Sequence, residues 1–570
     1  MCVSLLTSCT ESKPEAEPEA FQCDVETTPI AIVQGDGYQS AMAGSQALVR
    51  GIVTRLDPDR GFYMEEPGSD SSRETSNAIF IEDQALSREV KPGHVTILLG
   101  QVAELGHAKD TLTALTGISD YRLCGSGQNL PATELELPLD SRQRETVESM
   151  RVTIRQMLTV ADVYKLHQGE LTLSALGPLR VPTEDLLPGP SAISQAKRNR
   201  DWSVHATSAG MGTPVLLSGS LIGTVSGVMG NHGSGQNLLL EHPLHDRRFG
   251  SSLPQLPELP GPEKGTIRMV SFNLMNFFNG DGRGGGFPAA RGAKTLTEFL
   301  AQSNRIRSAF DRFQPHLLAV QELENDGFGR HSAAQSLTGL LKGSGNKNWA
   351  VIESDSGRIG NDAINVGLFY RADLLEALGV PHILEGPPFS HLSRQPLAQL
   401  FRDRSTGKRF LVAVNHFKSK GRCPKSGENA DQRDGQGCWN PARVDAARAV
   451  AEWVLGLAQQ AGTDRSIILG DLNSWRQSDP VRTLRQKGFT DLVELLAGLP
   501  QYSYVYRGEA GTLDYAFASE GMLAAVSHAA IWHINAKWPQ KMDLPEPFLR
   551  SSDHDPVVVD LDFSQLDASD

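Results

Sequence analysis

The segment Ser552-Asp553-His554-Asp555-Pro556 sets two carboxylates around an imidazole, and four upstream stretches carry groups that complement it. These are Asn273 in "VSFN", Glu322 in "LLAVQELEN", His416 in "FLVAVNHFKSK", and Asp471 with Asn473 in "IILGDLN". Each polar group lies at or just past the C-terminal end of a short apolar run that reads as a buried strand. Strand ends are rigid positions from which carboxylates, amides and imidazoles can face one cleft. Carboxylates for a hard cation, two histidines and two asparagines are the set that metal-assisted phosphodiester cleavage requires.

Taken singly, each group has an ordinary explanation. A strand-end Asn or Asp is usually a turn or cap residue, and His316, His391 and His533 read as surface or satisfied core histidines. The Gly280–Gly286 run lacks the Lys-Ser/Thr of a phosphate-cradling loop and reads as a flexible loop. The ordered set carries the inference.

The elements that must position these groups lie between about residues 266 and 563. "TIRMVSFN", "PHLLAVQEL", "SIILGDLN" and "HDPVVVDLDF" read as buried strands. Leu296, Phe299, Leu300, Ile306, Phe310 and Phe313 recur near helical spacing. Asn440-Pro441 reads as an N-cap followed by a first-turn proline, opening a helix to about Gln460. Strands alternating with helices predict an α/β layered core.

Ahead of this region the chain is β-like. Residues 29–138 hold short runs such as "QALVRGIVTRLD" and "HVTILLGQVAEL" broken by Gly, Asp and Ser, the pattern of a small barrel or sandwich. Residues 139–250 form a second β-rich region, and "GSGQNL" occurs in both, at 125–130 and 233–238. A linker with four prolines, 251–265, separates them from the α/β part.

With 570 residues, 39% hydrophobic and 21% charged, the chain is long enough for two to four domains and has an ordinary globular composition. No apolar stretch approaches the roughly 20 residues needed to span a bilayer. The net charge of −13 is uneven. From residue 266 on, 33 basic side chains meet 34 acidic ones, leaving 21 and 33 for residues 1–265. The acidity therefore belongs to the front of the chain. Between Arg402 and Lys425, eight basic residues and one acid bracket His416, and Lys418, Lys420 and Arg422 are candidate phosphate contacts.

Residues 1–28 read as a signal remnant and a polar Pro/Glu-rich tether. Leu6-Thr7-Ser8-Cys9 resembles a bacterial lipoprotein cleavage box, which makes Cys9 a candidate lipid anchor, although no basic region precedes it. Cys423 and Cys438 flank a polar loop that a disulfide would hold, and Cys23 with Cys124 could staple the first β-rich region. Zinc is the weaker reading, because no CxxC spacing occurs. Together these features predict export to an oxidising, extracellular, periplasmic or outer-surface location.

The motifs "SFN", "QELEN", "NHFKSK", "GDLNS", "LDYAFAS" and "SDHDP", in this order over about 300 residues, resemble the endonuclease/exonuclease/phosphatase superfamily. "NLMNFFNGDGRGGGFPAARGA" and the Cys-flanked loop before "CWNPARVDAA" resemble its secreted bacterial ExeM/NucH-like nucleases, and residues 29–138 the OB-like domain often carried ahead of them. The resemblance implies a C-terminal four-layer α/β sandwich over 266–563, two packed mixed sheets flanked by helices, behind OB-like β-rich domains. It implies Mg²⁺, with Mn²⁺ or Ca²⁺ as alternatives, held by Glu322 with Asn273 and Asp553. It makes His554 the general base, oriented by Asp514 of "LDYAF", while His416, Asp471 and Asn473 serve the phosphoryl group and the leaving oxygen. The expected activity is hydrolysis of nucleic acid, DNA first. A phosphatase or lipid phosphodiesterase, or a surface binding protein with an idle nuclease core, are the alternatives. Oligomeric state is left open.

Overall fold

A computed structural model describes residues 22–67, 74–107, 110–208, 215–231, 236–248, 256–343, 348–390 and 393–566. Cys2, Cys9, His391 and part of the second "GSGQNL" lie outside the described residues. The chain divides into two compact units, one of residues 1–155 with 224–242, the other of 156–223 with 243–570. Residues 139–250 thus contribute to both.

The first unit opens with α1 (Ile30–Gln34) and strands β1 (Gln46–Asp57), β2 (Gly61–Glu65), β3 (Ala78–Glu82), β4 (Val95–His107) and β5 (Asp110–Gly125), which close into a barrel in the order β1-β2-β3-β5-β4. Val49, Phe62, Met64, Ile79, Ile81, Leu98 and Leu115 fill its core. Gly61 starts β2 where a Cβ would stand 1.8 Å from the Ile81 carbonyl oxygen, so only glycine fits there. A Cys23–Cys124 disulfide joins the segment ahead of β1 to the end of β5. The unit continues through β6 (Thr133–Leu135), α2 (Ser141–Glu145) and β7 (Arg151–Ile154).

From residue 156 the chain builds an arm of the second unit: β8 (Leu158–Asp162), β9 (Glu170–Ser174), β10 (Leu179–Arg180), α3 (Pro182–Asp185), α4 (Pro190–Asp201), β11 (Ser203–Thr207) and β12 (Leu221–Ile222). Antiparallel pairing orders four of these strands β12-β8-β9-β11. The chain then returns to the first unit, where β13 (Val225–Asn231) pairs with β7 and with β14 (Gln236–Leu240).

The remainder of the second unit is the layered core expected from the sequence. It runs β15 (Ile267–Phe277), α5 (Leu296–Phe313), β16 (Leu317–Glu324), α6 (Ala333–Gly343), β17 (Trp349–Val351), β18 (Ile364–Arg371), β19 (Leu375–Ile383), β20 (Leu397–Asp403) and β21 (Arg409–His416). It continues through α7 (Asn440–Gln460), β22 (Ser466–Asp471), α8 (Asp479–Gln486), β23 (Thr490–Asp491), β24 (Tyr504–Tyr506), β25 (Glu509–Gly511), β26 (Asp514–Ala518), β27 (Val526–Ile531) and β28 (Val557–Leu561). Two six-stranded mixed sheets result, β17-β18-β16-β15-β28-β27 and β19-β20-β21-β22-β26-β23.

Burial on both faces explains the continuous apolar runs of these strands. Leu317, Val366, Leu368, Val412, Val414, Leu469 and Val559 pack between the sheets. On the outer faces, Ile306, Phe310 and Phe313 of α5 cover Phe272 and Leu318, while Ala446, Val450 and Val454 of α7 cover Leu411 and Ile468. Each buried Val, Leu, Ile or Phe of this kind contributes about 1.5–3 kcal/mol. The layers run helix, sheet, sheet, helix. Thr295 caps α5 by accepting the Glu298 N–H at 3.1 Å. α7 begins one residue earlier than the sequence suggests: Trp439 is the cap at φ 66°, and Asn440 is the first helical residue. Its side-chain NH2 donates to Asp479 at 3.1 Å, while its Oδ1, the atom that would cap, is buried with no hydrogen-bond partner.

Candidate active site

Three neighbouring strands bring three of the expected side chains into register. His416 of β21 pairs with Asp471 of β22, and Asp471 pairs with Asp514 of β26. Side chains directly opposite one another on a ladder are nearest neighbours, and all three are buried. Asp471 Oδ2 lies 3.5 Å from His416 Nε2 and accepts the Asn273 amide at 3.2 Å. Its other oxygen accepts the backbone N–H of Asn473 at 2.7 Å. Asn473 itself sits at φ 49° and donates its amide to the Phe417 carbonyl at 3.2 Å.

The opposite sheet delivers Asn273 and Glu322 by bending. β15 and β16 are parallel neighbours whose register slips after Asn273, and β16 slips against β18 around Glu322. Met275, Asn276 and Glu322 take left-handed backbone, at φ 53°, 56° and 61°. An irregularity of this kind re-aims a side chain that regular pleating would bury in a sheet face. With Asn473, left-handed φ at four non-glycine positions beside one cleft marks the place where stability is given up for geometry.

His554 and Asp514 are in close polar contact, with Nδ1 and Oδ2 2.7 Å apart. The same Asp514 oxygen accepts the Ser503 hydroxyl at 2.7 Å, while Oδ1 is buried with no protein partner. Tyr504 lays its ring beside the imidazole, with centroids 4.5 Å apart. Ser552 donates to the Asn273 carbonyl at 2.6 Å, tying the "SDHDP" turn to the end of β15.

The surroundings push the two histidines in opposite directions. Burial and the adjacent Arg394 and His554 push His416 well below its ordinary range, so it is neutral. Burial alone would do the same to His554, but Asp514, Asp553 and Asp471 together hold it well above. Asp471 is raised to about 7 by burial, against the pull of His554. Glu322 is raised by burial first and by the charge of Asp553 next.

Several groups at the site carry no sequence signal. Arg394, in the loop before β20, donates to the Phe417 carbonyl at 3.2 Å and stands 3.5 Å from His416 Nε2. Its Nε is 3.3 Å from Asp362, which also pairs with Arg291 at 3.1 Å. Ser503 lies just ahead of the short strand β24 and Tyr504 opens it, and neither belongs to a motif. Of the expected phosphate contacts, Lys418 donates to the carbonyls of Ser419 and Gly421 and lies over Trp439. Lys420 has its ammonium 4.0 Å from the centre of the Trp475 ring, and Arg422 is exposed. Cys423 and Cys438 are joined by a disulfide. His533 is a structural histidine bound to Asp555 at 3.0 Å.

The donor set suits a hard divalent cation. Among the described residues, ligand atoms of Asp471, Asp514 and His554 lie within 4.8 Å of one another. The imidazole nitrogen and a carboxylate oxygen of that group already bond to each other, and Glu322 and Asp553, whose charges act on one another, are further carboxylates that could hold an ion. Their like charges are mutually unfavourable without a compensating cation.

A helix–sheet–sheet–helix fold with a His–Asp pair, a second histidine and carboxylates at its strand ends defines a hydrolase of phosphoester bonds. Residues 270–554, half of the chain, match the model of the Endonuclease/Exonuclease/phosphatase family, and the protein belongs to that family. Similar solved structures include an endonuclease/exonuclease/phosphatase from Bacteroides vulgatus, 17% identical over 52% of this chain and 99% of that one, with a TM-score of 0.35. The human Nocturnin catalytic domain with bound sulfate is 17% identical over 53% and 95%, TM-score 0.35. D. rerio TDP2 complexed with a single-strand DNA product is 15% identical over 52% and 99%, TM-score 0.34. No curated protein matches the chain.

Proposed function

We propose that this protein is an exported, Mg²⁺-dependent nuclease that hydrolyses DNA by attack of an activated water on phosphorus, with Mn²⁺ or Ca²⁺ as alternative ions. The observation that carries the reading is the 2.7 Å Asp514–His554 contact beside Glu322 and Asp553. Asp514 accepts the Nδ1 proton and fixes the tautomer, so that Nε2 takes the proton of the attacking water. His554 reaches the neutral form when the charge of the surrounding carboxylates is compensated, and Glu322, Asp553 and Asn273 are the residues to hold the compensating ion. That ion, when bound, supplies charge neutralisation at the phosphoryl oxygens. His416, neutral and beside Arg394, donates to a phosphoryl oxygen or to the departing one. Asp471 and Asn473 fix the floor on which the phosphate sits.

The basic tract around His416 favours a polyanion over a neutral-headed lipid. The two disulfides favour an oxidising location, and the closed five-stranded barrel supports an OB-like reading of the front of the chain. Among the described residues no helix is long and apolar enough to cross a membrane.

The test is cleavage of supercoiled plasmid by the purified full chain with Mg²⁺, with EDTA, and with His554→Ala. Nicking that needs the ion and is lost in the variant is the expected result. A folded protein that leaves DNA and RNA intact but hydrolyses another phosphoester moves the assignment to a phosphatase or lipid phosphodiesterase.

A further inference from the structure

The arm of residues 156–223 ends on the active site through one carboxylate. Glu184, in α3, is completely buried in the second unit. Its Oε1 accepts the Thr512 hydroxyl at 2.9 Å, and its Oε2 accepts the backbone N–H of Thr512 at 3.0 Å and of Arg476 at 3.2 Å. Two guanidinium groups balance its charge at longer range, Arg476 Nε at 3.8 Å and Arg180 at 3.9 Å. A fully buried carboxylate is costly unless it is hydrogen-bonded and paired. Here two of the three bonds go to one residue of the catalytic core, Thr512, two positions before Asp514, and the third to Arg476.

The surroundings extend that link. β10 adds as a parallel strand to β25, and β25 pairs with β24 to make a three-stranded sheet. Asn199 of α4 donates to Glu509 at 2.6 Å, and the Val181 N–H donates to the Ala510 carbonyl at 2.9 Å. Val181, Trp475 and Leu513 form a buried cluster against which Tyr504 packs. A Cβ at Gly511 would meet the Trp475 ring at 2.7 Å and Glu184 Oε2 at 3.3 Å, so the backbone is pressed directly onto both. The β24–β25 hairpin held in this way carries the site's own groups: Ser503 just ahead of β24 bonds Asp514, and Tyr504 flanks His554.

We propose that Glu184 is a positioning residue for phosphoester hydrolysis, the point through which the 156–223 arm fixes Thr512 and thereby sets Asp514 and His554 for proton transfer. It touches no reacting atom and acts through the hairpin. The inference rests on the reading of Asp514 and His554 as the proton-handling pair. A misplacement of about 1 Å at such a pair lowers turnover by up to 10²-fold without removing substrate contacts. Glu184 therefore governs kcat and leaves KM largely alone.

The test is steady-state hydrolysis of a phosphodiester by the full chain carrying Glu184→Gln, Thr512→Val, Thr512→Ser or Asp514→Asn, with the fold followed by circular dichroism. Glu184→Gln and Thr512→Val should each lower kcat about tenfold or more with KM within about twofold, and Thr512→Ser should restore most of it. In the Asp514→Asn background, Glu184→Gln or Thr512→Val should add little, because the route to the imidazole is already cut. If Glu184→Gln does not fold, the Thr512 pair carries the test. Unchanged kcat in folded Thr512→Val, or a full additional loss in the Asp514→Asn background, overturns the inference. Full activity in Asp514→Asn instead overturns the proton-pair reading beneath it.

Discussion

Asp514 shows how one residue can serve several purposes. It pairs with Asp471 across the ladder, accepts the Ser503 hydroxyl, and holds His554 by Nδ1. Its negative charge is also a principal reason that His554 titrates above its ordinary range despite burial. A base must be neutral to accept a proton, so the part of that rise owed to Asp514, which bonds the imidazole directly, moves the rise of activity to higher pH. Asp514→Asn keeps the size of the side chain and removes that charge. We expect kcat to fall by about 10²–10⁴-fold from lost tautomer control. The residual activity should rise at lower pH than in the parent enzyme, since the imidazole is no longer held cationic. A pH profile of kcat/KM for both proteins checks the sign. A residual activity whose ascending limb stays in place would show that His554 is not the group being titrated.

At the scale of elements, the ends of strands made the site legible, and their pairing explains why. Asn273, Glu322, His416 and Asp471 follow apolar runs, and the sheets bring those runs side by side, so position along each strand becomes position in space. The layered core follows from the same alternation. What the sequence could not reveal depends on loops and on contacts across long separations. Arg394 is one arginine in an irregular segment, Ser503 one serine, and Glu184 lies 328 residues before the threonine it holds. Arg268 was equally opaque, a charge inside an otherwise apolar strand. It pairs in register with Asp560 of β28, bonds it through two nitrogens at 2.7 and 2.6 Å, and donates to the Pro260 and Phe313 carbonyls. That one side chain ties β15, β28 and the end of α5 together. Arg268→Ala should cost about 3 kcal/mol by leaving Asp560 buried with His528, 3.8 Å away, as its remaining ion-pair partner. Adding Asp560→Asn should recover part of the loss, as read by denaturant unfolding. Equal stability of the single variant and the parent would show the pair to be energetically idle.

Over the whole molecule, pH acts in opposite directions on the chemistry and on the stability of the first unit. Raising pH favours a neutral His554. It also ionises Glu65, whose carboxyl burial raises to about 7 even though the Arg151 N–H bonds it at 3.0 Å. An acid whose folded pKa exceeds its unfolded value binds its proton more tightly in the native state. Its contribution is therefore complete below about 4.5 and is lost as pH rises through about 7. Glu148, almost fully buried, is displaced in the same direction by burial and by the charge of Glu145. The barrel should then be less stable at pH 8 than at pH 5, while turnover should increase across that interval. Glu65→Gln retains an oxygen to accept the Arg151 N–H and removes the charge. It should leave stability near the parent value at pH 5 and raise it at pH 8, by at most about 3.5 kcal/mol at ~1.4 kcal/mol per unit of displacement. Thermal unfolding of both proteins at the two pH values is the measurement. A gain of the same size at both would locate the effect in packing, and no gain at pH 8 would show that the buried carboxylate is stabilised by partners as well as by its proton.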